Sequence, residues 1–402
     1  MKKIELDVYS TKTQFSVHIS GDIKYSGMRA EGARQVELHN TTYNAFPVNG
    51  EFRNISNDMK ALCAILCFYP SFPDEPYEVD FGFDISGAMS NALVRPYLTP
   101  NANYSSSSAP SNNPGNDTLI SYGGGFDSLA AHCLFPNQTL VHQTPISESG
   151  QHIHDIVNDI LPELDTEYRI VKDNMRQLYS VWGLPLWVSV FVPSILYAPK
   201  VIISGSELTG SYLEGGKRYF PRYNNLWYQV FRSAGVPVAA TSFLSEIGNA
   251  LVCYRSGVLD KAAYCQFIAH KDCGGCSKCL RRRMIKDAVS QKWSHTSSFE
   301  FSDEILKFLQ TKPLYYGDIF AYCMRALPQS DCPEELARID LESFTELDFL
   351  SKFYEKSFSH FDFPERLELI ARRSLKGLGI GEMNKSDCKN LESYRQENTG
   401  SA

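Results

Sequence analysis

Three consecutive glycines followed by an acid and a hydroxyl group are the strongest chemical signal in the sequence. Residues 123–125 are all glycine, a strand-like apolar stretch at 118–121 precedes them, and Asp127 and Ser128 follow. Glycine lets the chain turn sharply and present backbone N–H groups to an anion, and a helix N-terminus adds partial positive charge. The pattern predicts a phosphate-binding loop. Three glycines alone are equally consistent with a tight strand-to-helix turn.

Asp127 and Ser128 favour the phosphate-binding interpretation. In the first turn of a helix, a carboxylate or a hydroxyl can cap unpaired amides or help to place a magnesium-bound phosphate. A loop that follows the first strand of an open α/β sheet lies at the edge where ligands of such sheets bind. We therefore predict that both residues take part in catalysis.

The loop resembles the Ser-Gly-Gly-x-Asp-Ser signature of the PP-loop ATP pyrophosphatases. Gly123 replaces the usual serine and removes a hydroxyl group, for which Ser121 or backbone amides would compensate. The resemblance implies that ATP and Mg²⁺ bind here and that a substrate is adenylated with release of pyrophosphate. The expected nucleotide contacts are Ser121, Tyr122, Gly123, Gly124, Gly125, Phe126, Asp127, Ser128 and His142.

Four cysteines lie close together near the end of this region. Cys265, Cys273, Cys276 and Cys279 form two overlapping Cys-x-x-Cys turns with one thiol upstream. Four soft ligands at this spacing predict a tetrahedral Zn²⁺ site, which would be structural because it leaves no position for water. An iron–sulfur cluster and chance proximity of unligated thiols are the alternatives.

The glycine loop and the cysteines together resemble two kinds of PP-loop enzyme. Residues 265–281 look like the zinc segment of 7-cyano-7-deazaguanine synthases, and residues 243–249 are similar in placement. The layout resembles the ATP-dependent epimerase of UDP-N-acetylmuramoyl-L-alanyl-L-glutamate, with Cys-Gly-Gly-Cys-Ser-Lys-Cys at 273–279. Over about residues 117–290, the resemblance implies an acyl-adenylate that is then aminated, or epimerised and hydrolysed.

Two further segments contain candidate catalytic residues. Glu207 follows a predicted strand and should reach the same sheet edge as the glycine loop, where it would contact magnesium or substrate. A capped polar loop is the alternative. Lys217, Arg218 and Arg222 could hold a substrate carboxylate or the departing pyrophosphate, with a solvated surface loop as the alternative.

Three arginines at 281–283 directly follow the cysteines. They could contact RNA phosphates or form the basic end of the metal segment, and the net charge of −7 favours the second interpretation. Two other functions remain open at this point. One is a zinc-containing RNA-binding or tRNA-modifying protein, and the other is an inactive PP-loop nucleotide sensor or scaffold.

The elements that position these residues follow from hydrophobic periodicity. Period-two runs and an apolar segment at 59–68 predict an N-terminal α+β domain over 1–100. A Ser-, Asn- and Pro-rich linker covers 101–116. The strand–helix alternation of residues 117–297 predicts a doubly wound parallel sheet, which carries the four-Cys zinc segment. The PP-loop resemblance implies that this sheet is of the adenine nucleotide α-hydrolase type. Helices and a frayed tail are predicted over 298–402.

Within the central region, strands and helices alternate, as is typical of a parallel sheet covered on both faces. Strands are predicted at 118–121, 139–143, 168–171, 200–204 and 236–241. Helices are predicted at 127–134, 151–160, 184–197, 225–233 and 245–255.

The composition is that of an ordinary globular protein. The chain has 402 residues and 11 cysteines, an odd number that argues against a full disulfide framework. The most apolar stretch, 184–198, is interrupted by Pro193 and is shorter than the roughly 20 residues of a membrane span. We expect a soluble, cytoplasmic protein with a small-molecule carboxylate as partner, no nucleic acid and no membrane. Homodimer formation is left open.

Overall fold

A computed structural model describes most of the chain. The described residues are 2–26, 28–29, 35–94, 102–107, 117–146, 159–180, 187–208, 226–262, 274–312, 314, 316–341, 345–360 and 363–398.

Fourteen strands occur among the described residues. They are β1 Lys2–Ser10, β2 Phe15–Gly21, β3 Met28–Arg29, β4 Gln35–Val36, β5 Thr42–Pro47, β6 Tyr77–Asp80, β7 Ile85–Ser86, β8 Ala102–Tyr104, β9 Ser106–Ser107, β10 Thr118–Ser121, β11 Thr139–Pro145, β12 Tyr168–Asp173, β13 Val201–Ser204 and β14 Val238–Ala240.

The α-helices in the same part of the chain surround these strands. They are α1 Asn57–Phe68, α2 Gly87–Leu93, α3 Phe126–Leu134, α4 Val192–Ile195, α5 Leu226–Ser233, α6 Glu246–Arg255, α7 Ser277–Ser290, α8 Asp303–Leu309, α9 Gly317–Ala326, α10 Glu334–Ala337, α11 Lys356–His360, α12 Glu365–Gly377 and α13 Lys385–Asn398. None of these helices is long and apolar enough to cross a membrane.

Five parallel strands form the part of the sheet that carries the glycine loop. Their spatial order is β12, β11, β10, β13 and β14, with Ser121 opposite both Val141 and Ser204. All four residues of β13 are buried, as expected for a central parallel strand. From β10 the chain continues to β11 on one side, and β13 lies on the other. The end of β10 is therefore a topological switch point.

The prediction of a doubly wound parallel sheet beside a separate N-terminal α+β unit is wrong. β5 pairs antiparallel with β12, and β2, β1, β6 and β8 continue from it, so that one mixed sheet has ten strands. The architecture remains broadly α/β. Hydrophobic periodicity indicates that a strand exists and which face it buries, but it does not reveal which two strand edges meet.

Side chains extend the junction between the N-terminal strands and the parallel strands. Asn49 Nδ2 donates to Tyr168 O over 2.8 Å, and Ile170 N donates to Asn49 Oδ1 over 2.7 Å. Tyr43 OH donates to the buried Asp173 Oδ2 over 3.2 Å. The amide of Asn49 thus continues the backbone ladder beyond the end of β5.

The helix predicted at 59–68 is observed as α1, and it fills the space between the N-terminal strands and the central region. Ser56 caps the helix by accepting a hydrogen bond from Met59 N. Ser189 Oγ donates to Leu66 O over 2.7 Å from the 3₁₀ turn Trp187–Phe191. Apolar side chains from both regions form one continuous core.

Most predicted elements of the central region are observed within two or three residues of their predicted bounds. The predicted helix at 184–197 is a 3₁₀ turn followed by the short α4, which contains Pro193. Most of the predicted helix at 151–160 lies outside the described residues. In the predicted linker, residues 102–107 form β8 and β9, which pair with β6 and β7.

The structure does not show the predicted four-cysteine zinc segment. Cys265 and Cys273 lie outside the described residues. Cys276 is the N-cap of α7, and its thiol accepts a hydrogen bond from Cys279 N over 3.4 Å. Within the described ranges, no group of three or more His, Cys, Asp or Glu side chains could hold a metal ion. Spacing alone does not reveal that a thiol serves as a helix cap.

The C-terminal helices pack against the central region. α9 packs against α7, and α12 packs against α3. Phe243 stacks on Phe358 with ring centroids 4.5 Å apart, and Ser374 Oγ donates to Leu134 O over 2.9 Å. The tail that was predicted to fray contains α13, in which Leu391 is buried.

Gly205 allows the end of β13 to contact the start of α3. A Cβ atom added there would lie 2.4 Å from both Asp127 C and Ser128 N. We expect Gly205→Ala to lower the free energy of unfolding by about 1–3 kcal/mol, because the backbones must separate. Urea unfolding measures the effect. Gly123→Ala is the control, since its added Cβ meets no atom of the described residues within 4 Å. Equal stability of both variants would contradict the prediction.

Candidate functional site

The glycine loop joins β10 to α3 and is closed by Ser128. Gly123 N donates to Ser128 Oγ over 3.2 Å, and the same hydroxyl donates to Gly125 O over 3.3 Å. Gly124 has φ +78°, a left-handed conformation that favours glycine. Ser128 is buried and holds the loop in shape.

Among the described residues, no side chain caps the N-terminus of α3. Its N-cap residue is Gly125, which has no side chain to accept a hydrogen bond. The amides of a first helical turn have no acceptor within their own helix and carry the positive end of the helix dipole. Together with the position at the switch point, this makes the start of α3 suited to an anionic ligand.

Asp127, in the first turn of α3, is oriented by Asn249 from α6. Asn249 Nδ2 donates to Asp127 Oδ1 over 2.8 Å, and Asn249 is fully buried. Burial and the nearby Glu246 raise the pKa of Asp127, while Arg282 and Lys278 act against this shift. The carboxyl group therefore lies inside a cluster of charged side chains.

Two buried arginines of α7 share the carboxylate of Glu246. Arg281 Nε lies 2.9 Å from Glu246 Oε2, and Arg282 Nε lies 3.4 Å from Glu246 Oε1. Burial alone would raise the pKa of Glu246, but the two guanidinium groups hold it below its ordinary value. Glu246 is thus ionised and keeps both arginines in fixed positions.

The guanidinium group of Arg282 lies against the glycine loop. Its carbon is 5.3 Å from the centroid of the Phe126 ring, and its Nη2 would lie 3.1 Å from a Cβ at Gly125. A permanent positive charge thus stands beside the loop and the start of α3. A phosphate group held by the loop would be within reach of this guanidinium group.

Arg281 is held on its other side by the C-terminal helical region. Its guanidinium carbon is 3.6 Å from the centroid of the Tyr316 ring, which is stacking contact. Asp318, in the first turn of α9, is fully buried. Burial raises the pKa of Asp318 to about 6, although the backbone N–H groups of Ile319 and Asp318 and then the charge of Arg281 act to lower it.

Glu207 and Lys278 complete the cluster. Burial raises the pKa of Glu207 well above its ordinary value, and the negative charges of Glu246 and Asp127 add to the shift. Burial, Arg282 and Arg281 lower the pKa of Lys278 to about 8. Three cationic and four acidic side chains therefore come together next to the glycine loop.

His142 forms a hydrogen bond to the backbone at the start of the glycine loop. His142 Nδ1 lies 2.8 Å from Tyr122 O, and because a carbonyl can only accept, Nδ1 carries the proton. Burial lowers the pKa of His142 to about 4, so that the ring is neutral near pH 7. Two other residues were predicted to contact the nucleotide. Ser121 Oγ donates a hydrogen bond to Val190 O, and the Tyr122 side chain is buried.

Several predicted site residues are outside the part of the chain that the structure describes. They are Lys217, Arg218 and Arg222, together with Cys265 and Cys273. Arg283, which was predicted together with Arg281 and Arg282 to contact RNA or end the metal segment, donates from Nη1 to His295 O over 3.1 Å.

Sequence reasoning missed five members of the cluster, namely Glu246, Asn249, Lys278, Arg282 as a loop contact, and Asp318. A usable signal existed for two of them. Glu246 and Asn249 are three residues apart in a stretch, 243–253, in which most of the other residues are apolar. Polar groups within such a run indicate buried polar contacts. For Asp318, no local pattern distinguishes it from an ordinary acid in a first helical turn.

Removing the Glu246 carboxylate should leave two arginines buried without their partner. We expect Glu246→Ala to lower the free energy of unfolding by about 3–5 kcal/mol, as measured by urea unfolding. Glu334→Ala is the matched control, because it breaks the exposed Arg338–Glu334 pair and should have no measurable effect. A loss for Glu246→Ala as small as that of the control would contradict the prediction.

Asp318 should make stability depend on pH. Its pKa in the folded protein, about 6, exceeds the ordinary value of 3.8, so that ionisation opposes folding. This cost is complete above about pH 6 and disappears as the pH falls below about 4. Asp318→Asn should therefore stabilise the protein by roughly 2–3 kcal/mol at pH 7.5 and by progressively less towards pH 4.5. A gain that is independent of pH in urea unfolding would contradict this assignment.

Comparison with known proteins adds a family that has no assigned function. The sequence model of a family of unknown function, DUF6395, matches residues 226–395. No curated protein matches the chain. The matched segment begins at α5 and contains Glu246, Asn249, Lys278 and Asp318, whereas the glycine loop precedes it. Over these residues the chain is similar to DUF6395, and the cluster beside the loop consists largely of residues from that segment.

Proposed function

We propose that this chain binds ATP at the loop 122–128 and adenylates a substrate carboxylate, with release of pyrophosphate. The observation that carries the proposal is the position of Arg282. Its guanidinium group lies against Gly125 and Phe126, at the switch point of the parallel strands and at a helix N-terminus whose N-cap residue is glycine. Amides, a helix dipole and a fixed cation then converge on one place.

This arrangement suits a triphosphate better than a neutral ligand. Backbone amides in a glycine loop bind phosphate oxygens, and a guanidinium group contacts a phosphate with two parallel hydrogen bonds. Lys278 adds a second positive charge close by. Its pKa is lowered by Arg282, and its own charge lowers the pKa of Asp127, so that it lies near both side chains. Phosphates bound in the loop would therefore place their negative charge beside two cationic side chains, Arg282 and Lys278.

Asp127 fits the role of a magnesium ligand in this proposal. Asn249 holds one of its carboxylate oxygens, which leaves the other for a cation that also contacts the phosphates. Mg²⁺ is commonly bound by one or two carboxylates together with substrate phosphates. When bound, Mg²⁺ would supply charge neutralisation to the phosphates and to the departing pyrophosphate.

The proposed reaction is an in-line displacement at the α-phosphorus of ATP. An oxygen of the substrate carboxylate forms a bond to phosphorus, and the bond from phosphorus to the bridging oxygen breaks, so that pyrophosphate leaves with its electron pair. Arg282 and Lys278 would stabilise the negative charge that develops. The acyl-adenylate would then be aminated, or epimerised and hydrolysed. Both fates share this first step.

The RNA-binding alternative has less support. Arg281 and Arg282 are buried against Glu246, and Arg283 contacts His295 O. Side chains that are engaged in this way do not form an exposed basic patch of the kind that binds nucleic acid. An inactive nucleotide sensor would use the same ATP site and would differ only in that no adenylation follows ATP binding.

Position 123 has room for the serine that PP-loop enzymes usually carry. A Cβ added at Gly123 would meet no atom of the described residues within 4 Å, and Gly123 does not have a positive φ. The replacement of serine by glycine is therefore not imposed by packing. Backbone amides alone would bind the phosphates at this position.

ATP affinity should depend on Arg282 and not on Arg283. We expect Arg282→Gln to weaken ATP binding about 10- to 100-fold in calorimetry, because a charged hydrogen bond to phosphate is lost. Arg283→Gln is the matched control and should bind ATP as the wild type does. Circular dichroism of both variants checks that they are folded.

A screen for pyrophosphate release tests the chemistry. Wild-type protein is incubated with ATP, Mg²⁺ and a panel of carboxylates, and release should occur with at least one of them and stop in Asp127→Asn. Equal ATP affinity of the Arg282 and Arg283 variants would contradict the assigned site. ATP binding without release for any carboxylate would instead support a nucleotide sensor.

A further inference from the structure

The side-chain amide of Asn249 uses only one of its two ends. Its Nδ2 donates to Asp127 Oδ1 over 2.8 Å, and the residue is fully buried in α6. Its oxygen, Oδ1, is also buried and has no hydrogen-bond partner in the part of the chain that the structure describes. A buried amide oxygen in this state has lost its contacts with water without replacing them, which indicates that a partner is missing.

Another buried asparagine shows the usual arrangement. Asn174, which follows β12, donates from Nδ2 to Thr42 O over 2.8 Å. Its Oδ1 accepts a hydrogen bond from Asn44 N over 2.6 Å. Both ends of the Asn174 amide are thus paired within the chain, whereas only the nitrogen of Asn249 is.

The Asn249 amide is fixed in place and cannot turn to find a partner. A carboxylate oxygen accepts hydrogen bonds, so the amide nitrogen must be the end that faces Asp127. The first turn of α6 is held as well, since Ser245 Oγ accepts from Gly248 N over 3.1 Å and donates to Leu350 O. Asn249 N donates to Ser245 O over 2.8 Å. The unpaired oxygen therefore stays beside the Asp127 carboxyl group, at the start of α3.

The chemistry of this oxygen limits what can bind to it. An amide oxygen only accepts, so its partner is either an N–H or O–H donor or a cation. Carboxylate and side-chain amide oxygens are the ligands that hard divalent cations prefer, and Mg²⁺ completes its shell with phosphates and waters. A cation would contact Asp127 and Asn249 at once, whereas a single N–H or O–H donor would pair with one oxygen. The pair therefore suits a divalent cation.

We propose that Asn249 Oδ1 is a ligand of a divalent cation bound beside Asp127. One amide then has two roles, because its nitrogen orients the Asp127 carboxylate and its oxygen binds the cation. Mg²⁺ is the expected ion. The proposal rests on the function proposed above for the ATP phosphates that share the ion, whereas cation binding itself can be measured without nucleotide.

Two substitutions separate the ligand role from a purely structural one. Asn249→Leu has a similar volume and removes both the donor and the oxygen. Asn249→Asp removes the donor, keeps an oxygen at the same position and places a second carboxylate beside Asp127. Cation binding should therefore be lost in Asn249→Leu and retained in Asn249→Asp.

The first measurement titrates the full chain with Mn²⁺, a paramagnetic substitute for Mg²⁺, and follows free Mn²⁺ by electron paramagnetic resonance. Asn249→Asp should bind Mn²⁺ at least as tightly as the wild type, and Asn249→Leu about 10- to 100-fold more weakly. Asn174→Leu is the matched control and should bind Mn²⁺ as the wild type does. Circular dichroism checks that each variant is folded, and Asn249→Ala takes the place of Asn249→Leu if the latter does not fold.

Isotope labelling tests the direct contact. With Mn²⁺ bound to protein that carries ¹³C at the Cγ of asparagine, electron–nuclear double resonance should detect a ¹³C coupling in the wild type and in Asn174→Leu. Asn249→Asp, whose carboxylate is unlabelled, should keep Mn²⁺ and lose this coupling. The ligand role is refuted if the wild type binds no Mn²⁺, if it binds Mn²⁺ without the coupling, or if Asn249→Leu binds as tightly as the wild type.

Calorimetry with ATP, in Mg²⁺ and in EDTA, connects the cation to the nucleotide. Mg²⁺ should strengthen ATP binding at least about tenfold in the wild type and much less in Asn249→Leu, whereas the two proteins should bind ATP equally in EDTA. An equal effect of Mg²⁺ in both proteins would overturn the connection. If the wild type does not bind ATP under either condition, the proposed function fails, and the Mn²⁺ titration and the ¹³C coupling then decide alone whether Asn249 is a ligand.

Discussion

The buried carboxylate of Glu246 is the interaction on which the site depends. It holds Arg281 and Arg282, and these two arginines connect α6 and α7 with the glycine loop on one side and with Tyr316 on the other. Buried charges of this kind are costly unless each is paired in good geometry. The cluster therefore fixes the relative positions of three helices and the loop, which suits a site that must present charges to a ligand without rearrangement.

The continuous sheet gives this site a rigid base. Because β5 covers the edge of β12, the parallel strands have no unpaired edge on that side, and the N-terminal residues contribute directly to the central core. The C-terminal helical region brings Tyr316 and Asp318 to Arg281. Segments from the start, the middle and the end of the chain thus support one cluster, so that its geometry depends on the whole fold.

The local elements of the central region were largely predictable. Apolar four-residue runs gave the parallel strands, and the glycines with Asp127 and Ser128 gave the loop and the start of α3, because these features depend on backbone sterics within a few residues. The separate N-terminal unit was predicted wrongly, since the pairing of β5 with β12 joins residues more than 120 positions apart. The four-cysteine zinc segment was not shown, and Cys276 caps a helix instead.

The sequence by itself therefore determined where a phosphate could bind: a strand, a glycine turn and a helix N-terminus encode that geometry locally. Only the tertiary structure decided which charges surround it. Arg281 meets Glu246 across 35 residues, and Asn249 meets Asp127 across 122 residues. The pKa shifts of Lys278 and Asp318 arise chiefly from burial. Electrostatic pairing depends on distance in space and on desolvation, and neither quantity is written in the local order of residues.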